Sequence, residues 1–181
     1  MTRTVKAFTE VAQFVPIITL ASSFIVKGSV DMNQASVLFV VSGIMAVAVT
    51  IWLLAIRITL NPILLASNIW LVFGAVAFGI PIPLLADLFG ETNAALLFAA
   101  VLAVGITQTT LRVSTGFIGL GNASPQTIRK LSMILLGVAA LAFCWAMIFR
   151  DNIRVGGGLP FIVLNVVRRI LIKRGARCRI T

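Results

Sequence analysis

Histidine and tyrosine are both missing from this 181-residue chain. Without histidine there is no ready general base near neutral pH, no Ser-His-Asp triad, no HExxH zinc site and no bis-histidine haem. Acidic residues are scarce as well. The five Asp and Glu lie in separate loops and helix ends, so local spacing offers no carboxylate pair. Cys144 sits inside an apolar run and Cys178 in a basic tail, which makes neither a disulfide framework nor a metal-ligand spacing. No P-loop and no GxGxxG after a strand is present. A chain so poor in catalytic groups is expected not to be an enzyme and to carry no cofactor or metal.

Charge in general is thin. Only 11% of residues are charged and 60% are hydrophobic, against about 25% and about 45–50% in a soluble domain. The mean hydropathy is +1.10. A water-soluble body of this size could not hide that much apolar surface, because small domains keep a high ratio of surface to volume. Lipid is therefore the expected solvent, and the size suits one integral membrane domain over residues 1–181.

What charge there is has one sign. The net charge is +10 and the pI is near 11.6. Nucleic acid would need a basic face on a soluble fold. Here the basic residues fall between apolar runs and at the tail, where anionic headgroups attract each by about 1 kcal/mol. The expected partner is a bilayer with anionic headgroups, not nucleic acid.

About 20 apolar residues cross the hydrocarbon core as a helix. Five such runs are plain, at residues 11–26, 37–56, 63–80, 94–111 and 131–149. The first contains Pro16, Glu10 and Gln13 interrupt its start, and no small-residue cleavage site follows, so it reads as a retained segment rather than a signal peptide. Asn61-Pro62 and Ser124-Pro125 have the form of an N-cap followed by Pro at the first helical position.

The sixth segment, residues 155–172, belongs to the stretch "GGGLPFIVLNVVRRILIKR". Its Arg168 and Arg169 make it a marginal span or an interfacial amphipathic helix. Charge placement favours the span. With six crossings and both ends inside, twelve of the 15 basic residues fall on the cytoplasmic side, leaving only Lys27, Arg150 and Arg154 outside. Five crossings split the 15 charges far more evenly, six inside and nine outside with the N-terminus inside or the reverse with it outside, and so give little or no inside bias. The fold class expected is thus an all-α polytopic transmembrane bundle of six spans, with a basic cytoplasmic tail at 173–181. Five spans plus an interfacial C-terminal helix is the alternative. The expected location is a bacterial inner (plasma) membrane with both termini cytoplasmic.

Polar groups at membrane depth are the functional candidates. Glu10 and Gln13 share a face at the start of the first span. Glu10 is a proton or cation site, or an interfacial carboxylate paired with Lys6 or Arg112, and the pairing is the simpler reading. Thr107, Gln108 and Arg112 close the fourth span, either lining the mouth of a cavity or bonding to neighbouring helices and water. Asn68 and Asn165 lie deeper and should face the bundle interior, because a buried amide needs partners. Arg168, Arg169, Lys173 and Arg174 are candidate headgroup anchors. Asp87 and Glu91, after the helix-breaking Pro81 and Pro83, read as a solvated loop.

Small residues recur at helical spacing. Ala95, Ala99 and Ala103 line one face of the fourth span, and Gly137, Ala140 and Cys144 form a similar stripe on the fifth. Such rows let backbones approach closely, either within the chain or at a docking face for another subunit or a second copy.

Two functions follow as expectations. One is a non-catalytic membrane protein that works by helix–helix association with a membrane partner. The other is a small transporter or the substrate-binding membrane subunit of one. In size and span count the chain resembles the S-components of energy-coupling-factor transporters. Their AxxxA signature lies in the first helix, whereas here the alanine row lies in the fourth, so no residue is carried over. The basic start, Glu10 and "FVPI" are similar to the start of bacterial septation protein A, over too short a stretch to identify the chain.

Overall fold

Two helix starts show how local sequence sets the elements. Asn61 has an extended backbone and its Oδ1 accepts the Ile63 N–H at 3.1 Å, with Pro62 at the first helical position. Ser124 does the same for Thr127 N–H at 3.3 Å, ahead of Pro125. Each cap satisfies a donor that the helix cannot, and each proline occupies a position where its missing N–H costs nothing.

The protein is described here by a computed structural model, which covers residues 9, 11–27, 32–56, 58, 60–80, 83–92, 94–111, 115–120, 123–150, 152 and 154–177. The helices are α1 (Val15–Lys27), α2 (Met32–Ala55), α3 (Pro62–Gly79), α4 (Pro83–Thr92), α5 (Ala95–Leu111), α6 (Pro125–Ile148) and α7 (Leu159–Arg177), with a π-helical turn over Arg154–Gly158. There is no strand among the described residues. This is the backbone arrangement that closes its hydrogen bonds within each segment, as lipid requires.

Four helical stretches are long and apolar enough to cross a membrane: Gln34–Ala55, Pro62–Gly79, Pro125–Ile148 and Arg154–Gly175. A fifth crossing results if Pro83–Thr92 and Ala95–Leu111 are one broken span. The helices are therefore compatible with a membrane protein of four to five crossings, against the six expected from hydropathy. With the broken pair counted as one crossing, the segment that falls short among the described residues is the first. α1 has 13 residues, about 20 Å of helix against a hydrocarbon core of about 30 Å. Two boundaries also differ from expectation. α6 starts at Pro125 rather than near 131, because the helix runs back to its Ser124 cap through Arg129 and Lys130. α7 continues to Arg177, so Lys173 and Arg174 are helical rather than part of a tail.

The chain divides into two compact units, Met1–Gly90 and Glu91–Thr181. In the first, α2 and α3 pack backbone to backbone. A Cβ added at Gly43 would meet Ala75 and stand 2.9 Å from Leu71 O, and one at Gly74 would meet the Phe39 ring. Phe39 also lies edge-on to Trp70, with centroids 5.2 Å apart, and edge-on to Phe89 of α4 at 5.7 Å. Phe78 lies 5.1 Å from Phe39. These offset and T-shaped pairs suit the ring quadrupoles, at about 0.5–1.5 kcal/mol each beyond area.

In the second unit, Ala95 and Phe98 of α5 pack with Ala142 and Ala146 of α6, and Phe143 and Phe161 close the cluster. The contact of α5's start with α6's end makes these two helices antiparallel. α7 returns along α6. Trp145 Nε1 donates to Val155 O at 3.1 Å near the turn, and a Cβ at Gly175 would stand 2.9 Å from Leu131 at the other end. Lipid is as apolar as leucine, so close van der Waals packing rather than water exclusion must hold such pairs.

Candidate functional site

In the first unit, two of the expected polar residues take up different posts. Gln13 is 5% exposed, and its Oε1 accepts the Asn61 backbone N–H at 3.0 Å across 48 residues of sequence. Asn61 is the cap of α3, so Gln13 pins the segment before α1 to the α2–α3 turn. Asn68 is equally buried, and its Nδ2 donates to Thr50 Oγ1 of α2 at 2.9 Å. An amide buried without a partner costs about 1–3 kcal/mol, and this bond supplies one between helices. Thr50 and Asn68 line an open groove of ≈ 220 Å³ whose other walls are apolar, among them Ala46, Leu65, Val72 and Phe73. Glu10 and Arg112 lie outside the described residues, as does Cys178.

In the second unit, the polar residues of α5 turn back on their own helix. Thr107 donates to Ala103 O at 2.8 Å, Thr109 to Gly105 O at 2.7 Å and Thr110 to Ile106 O at 2.9 Å. Such back-bonds hide a hydroxyl without tying helices together. Gln108 is half-buried. Asn165 of α7 likewise donates to Phe161 O at 2.9 Å, one turn back. Arg168 is half-buried, whereas Arg169, Lys173 and Arg174 are exposed. Among the described residues, no group of His, Cys, Asp or Glu could hold a metal ion.

The two small-residue rows separate on inspection of burial. Ala95 is fully buried in the α5–α6 contact, Ala99 is half-buried and Ala103 is exposed. Gly137, Ala140 and Cys144 are all exposed. α6 packs within the chain through a neighbouring stripe, Leu135, Ala139, Ala142 and Ala146. The intramolecular role expected for Gly137 and Ala140 is thus taken by other residues. A Cβ on Gly137 would meet nothing within 4 Å, in contrast to Gly43, Gly74 and Gly105, each of which has a neighbour in the space a Cβ would need.

Sequence reasoning missed one structural device in this unit. Residues 115–120 tuck Phe117 and Ile118, both 0% exposed, into the body of the unit. Ser132 Oγ accepts the Ile118 N–H at 3.3 Å. Gly116 has φ +56°, and a Cβ there would stand 2.5 Å from Ser132 Oγ, so only glycine fits. The signal is present in "STGFIGLGN", where two large apolar residues sit between glycines that permit positive φ and tight turning. In the first unit, Ser42 Oγ and Trp70 Nε1 are buried with no hydrogen-bond partner among the described residues, and nothing in the sequence marked them.

Comparison with protein-family models, with curated proteins and with solved structures finds no match for this chain.

Proposed function

We propose that this chain is a non-catalytic multi-pass inner-membrane protein that acts by helix–helix association with a membrane partner, either another subunit or a second copy. The observation that carries the reading is the exposed Gly137–Ala140–Cys144 face of α6. Elsewhere in the spanning helices, Gly43, Gly74 and Gly105 mark places where another group comes close. Gly137 offers the same close approach with no occupant among the described residues. Small residues drive association in lipid because they let backbones touch and interhelical contacts form. The six-crossing map with both termini cytoplasmic remains part of the proposal and rests on the charge distribution.

Cys144 lies on the proposed face and reports on it directly. With Cys178 replaced by Ser, a thiol-specific bifunctional crosslinker applied to native membranes should trap Cys144 in a defined adduct. Gly137→Leu should abolish that adduct. An unchanged adduct in the leucine variant, or no adduct in the parent, contradicts the reading.

The second reading, a small transporter or its substrate-binding subunit, is favoured by one feature: the groove beside the Thr50–Asn68 pair. A substrate there should raise the thermal stability of the purified protein by mass action, and Asn68→Leu should remove the effect. Association, in contrast, should survive Asn68→Leu.

A further inference from the structure

The seam between α6 and α7 carries a second, independent feature. The two helices run antiparallel, so the start of α6 meets the end of α7. The contact is specific: a Cβ on Gly175 would stand 2.9 Å from Leu131 Cδ1 and 3.2 Å from Leu120. Lys130 precedes Leu131, and Arg174 precedes Gly175. Both are exposed, and neither makes a hydrogen bond or ion pair among the described residues. Packed helices lie about 8–10 Å apart, so two long cationic side chains flanking one contact reach a common anion. The pair is 44 residues apart in sequence (130 to 174) and comes together only through the fold.

One turn deeper on each helix stands an exposed isoleucine, Ile134 on α6 and Ile170 on α7. Each is four residues from its cation, hence on the same face and about 6 Å further from the end. α5 does not cover this flank, because it meets α6 on the other side, where Leu136 fills the space beside Gly105. Both helices belong to stretches long and apolar enough to span, and the seam lies at their shared end. The order is therefore cations at the rim and apolar side chains beneath. The unit's carboxylates, Glu91 and Asp151, lie in sequence before α5 and after α6. Neither is near Lys130 or Arg174 in sequence.

We infer that this seam binds a single anionic glycerophospholipid, its phosphate held between Lys130 and Arg174 and an acyl chain laid against Ile134 and Ile170. Basic pockets between spanning helices recognise anionic headgroups in this way. Charge-assisted bonds from an arginine and a lysine favour a phosphate whose charge is not already balanced by a choline on the same headgroup. This goes beyond the association reading: Lys130 lies about two turns before Gly137 along the same side of α6, and the two proposals are read by different variants and different measurements, so either can fail alone.

The full chain, purified in mild detergent, is given phosphatidylglycerol or phosphatidylcholine of identical acyl chains, and retained lipid is counted by native mass spectrometry. One phosphatidylglycerol per chain should be retained, and phosphatidylcholine about tenfold less, as expected when charge-assisted contacts decide binding. The double variant K130Q/R174Q should lose the preference. R129Q/R169Q, which removes the same charge from other exposed positions, should keep it. Equal retention of both lipids by the parent, or equal loss in both double variants, would overturn the site in favour of diffuse attraction. Displacement of phosphatidylglycerol by millimolar glycerol phosphate would overturn the lipid as occupant. If K130Q/R174Q does not fold, the comparison of the two lipids on the parent protein still decides.

Discussion

The two units of the chain solve the same packing problem with different side chains. The Met1–Gly90 unit joins α2 to α3 by glycine contacts and an aromatic cluster, and its polar groups bond from one element to another: Gln13 to Asn61 and Asn68 to Thr50. The Glu91–Thr181 unit joins α5 to α6 by alanines and Phe98, and its polar groups on α5 and α7 bond within their own helix. Basic residues are also unevenly shared. Of 15, only Arg3, Lys6, Lys27 and Arg57 precede Gly90, leaving eleven in the second unit. The first unit spends its polar side chains on internal bonds. The second leaves small residues such as Gly137 and Ala140 and cations such as Lys130 and Arg174 exposed.

Glycine substitutions test that contrast most severely. Gly43→Leu drives a side chain into Ala75 and the Leu71 carbonyl, and overpacking of this kind should destabilise by about 3 kcal/mol or prevent folding. Gly137→Leu meets open space and should change stability by no more than about 0.5 kcal/mol, while removing the Cys144 adduct. Unfolding in mixed micelles reads both. A similar loss for the two variants would erase the distinction between an occupied and a reserved glycine.

Next in size is the tucked segment of the second unit. Gly116→Ala combines a positive φ with a clash at Ser132 Oγ, and should cost about 2 kcal/mol. Faster proteolysis near residues 115–120 in the variant would report release of Phe117 and Ile118. Equal protease resistance and equal stability would show that the segment is not held by this turn.

The smallest effect separates the two styles of polar satisfaction. Asn68→Leu breaks a bond between helices and should lower stability by about 0.6–1.5 kcal/mol. Thr107→Val removes only a back-bond on an exposed face and should stay within about 0.5 kcal/mol. If Thr107→Val proved the more damaging, the hydroxyls closing α5 would have a partner beyond their own helix.

Much of the architecture was legible from residues alone because lipid makes simple demands. Long apolar runs located α2, α3 and α6, and Asn61-Pro62 and Ser124-Pro125 marked two helix starts. The reading faltered where hydropathy stops discriminating. Residues 11–26 are apolar for long enough to suggest a span, yet α1 occupies only part of them. Residues 131–149 located the span but hid the capped turn before it, which carries Arg129 and Lys130 into α6. Gln13 read as a candidate for function, but it closes a turn 48 residues away.

Composition and order of residues alone decide that this protein belongs with lipid, that its backbone is helical, and that cations gather late in the chain. Those properties follow from the cost of moving charge and unpaired peptide groups out of water, which each residue carries wherever it sits. Which stripe of α6 faces inward, and that Leu131 near the start of α6 meets Gly175 near the end of α7, are decided only in three dimensions. In a bilayer the inside and the outside of a helix are equally apolar, so the choice between them depends on which side chains fit together and not on hydrophobicity.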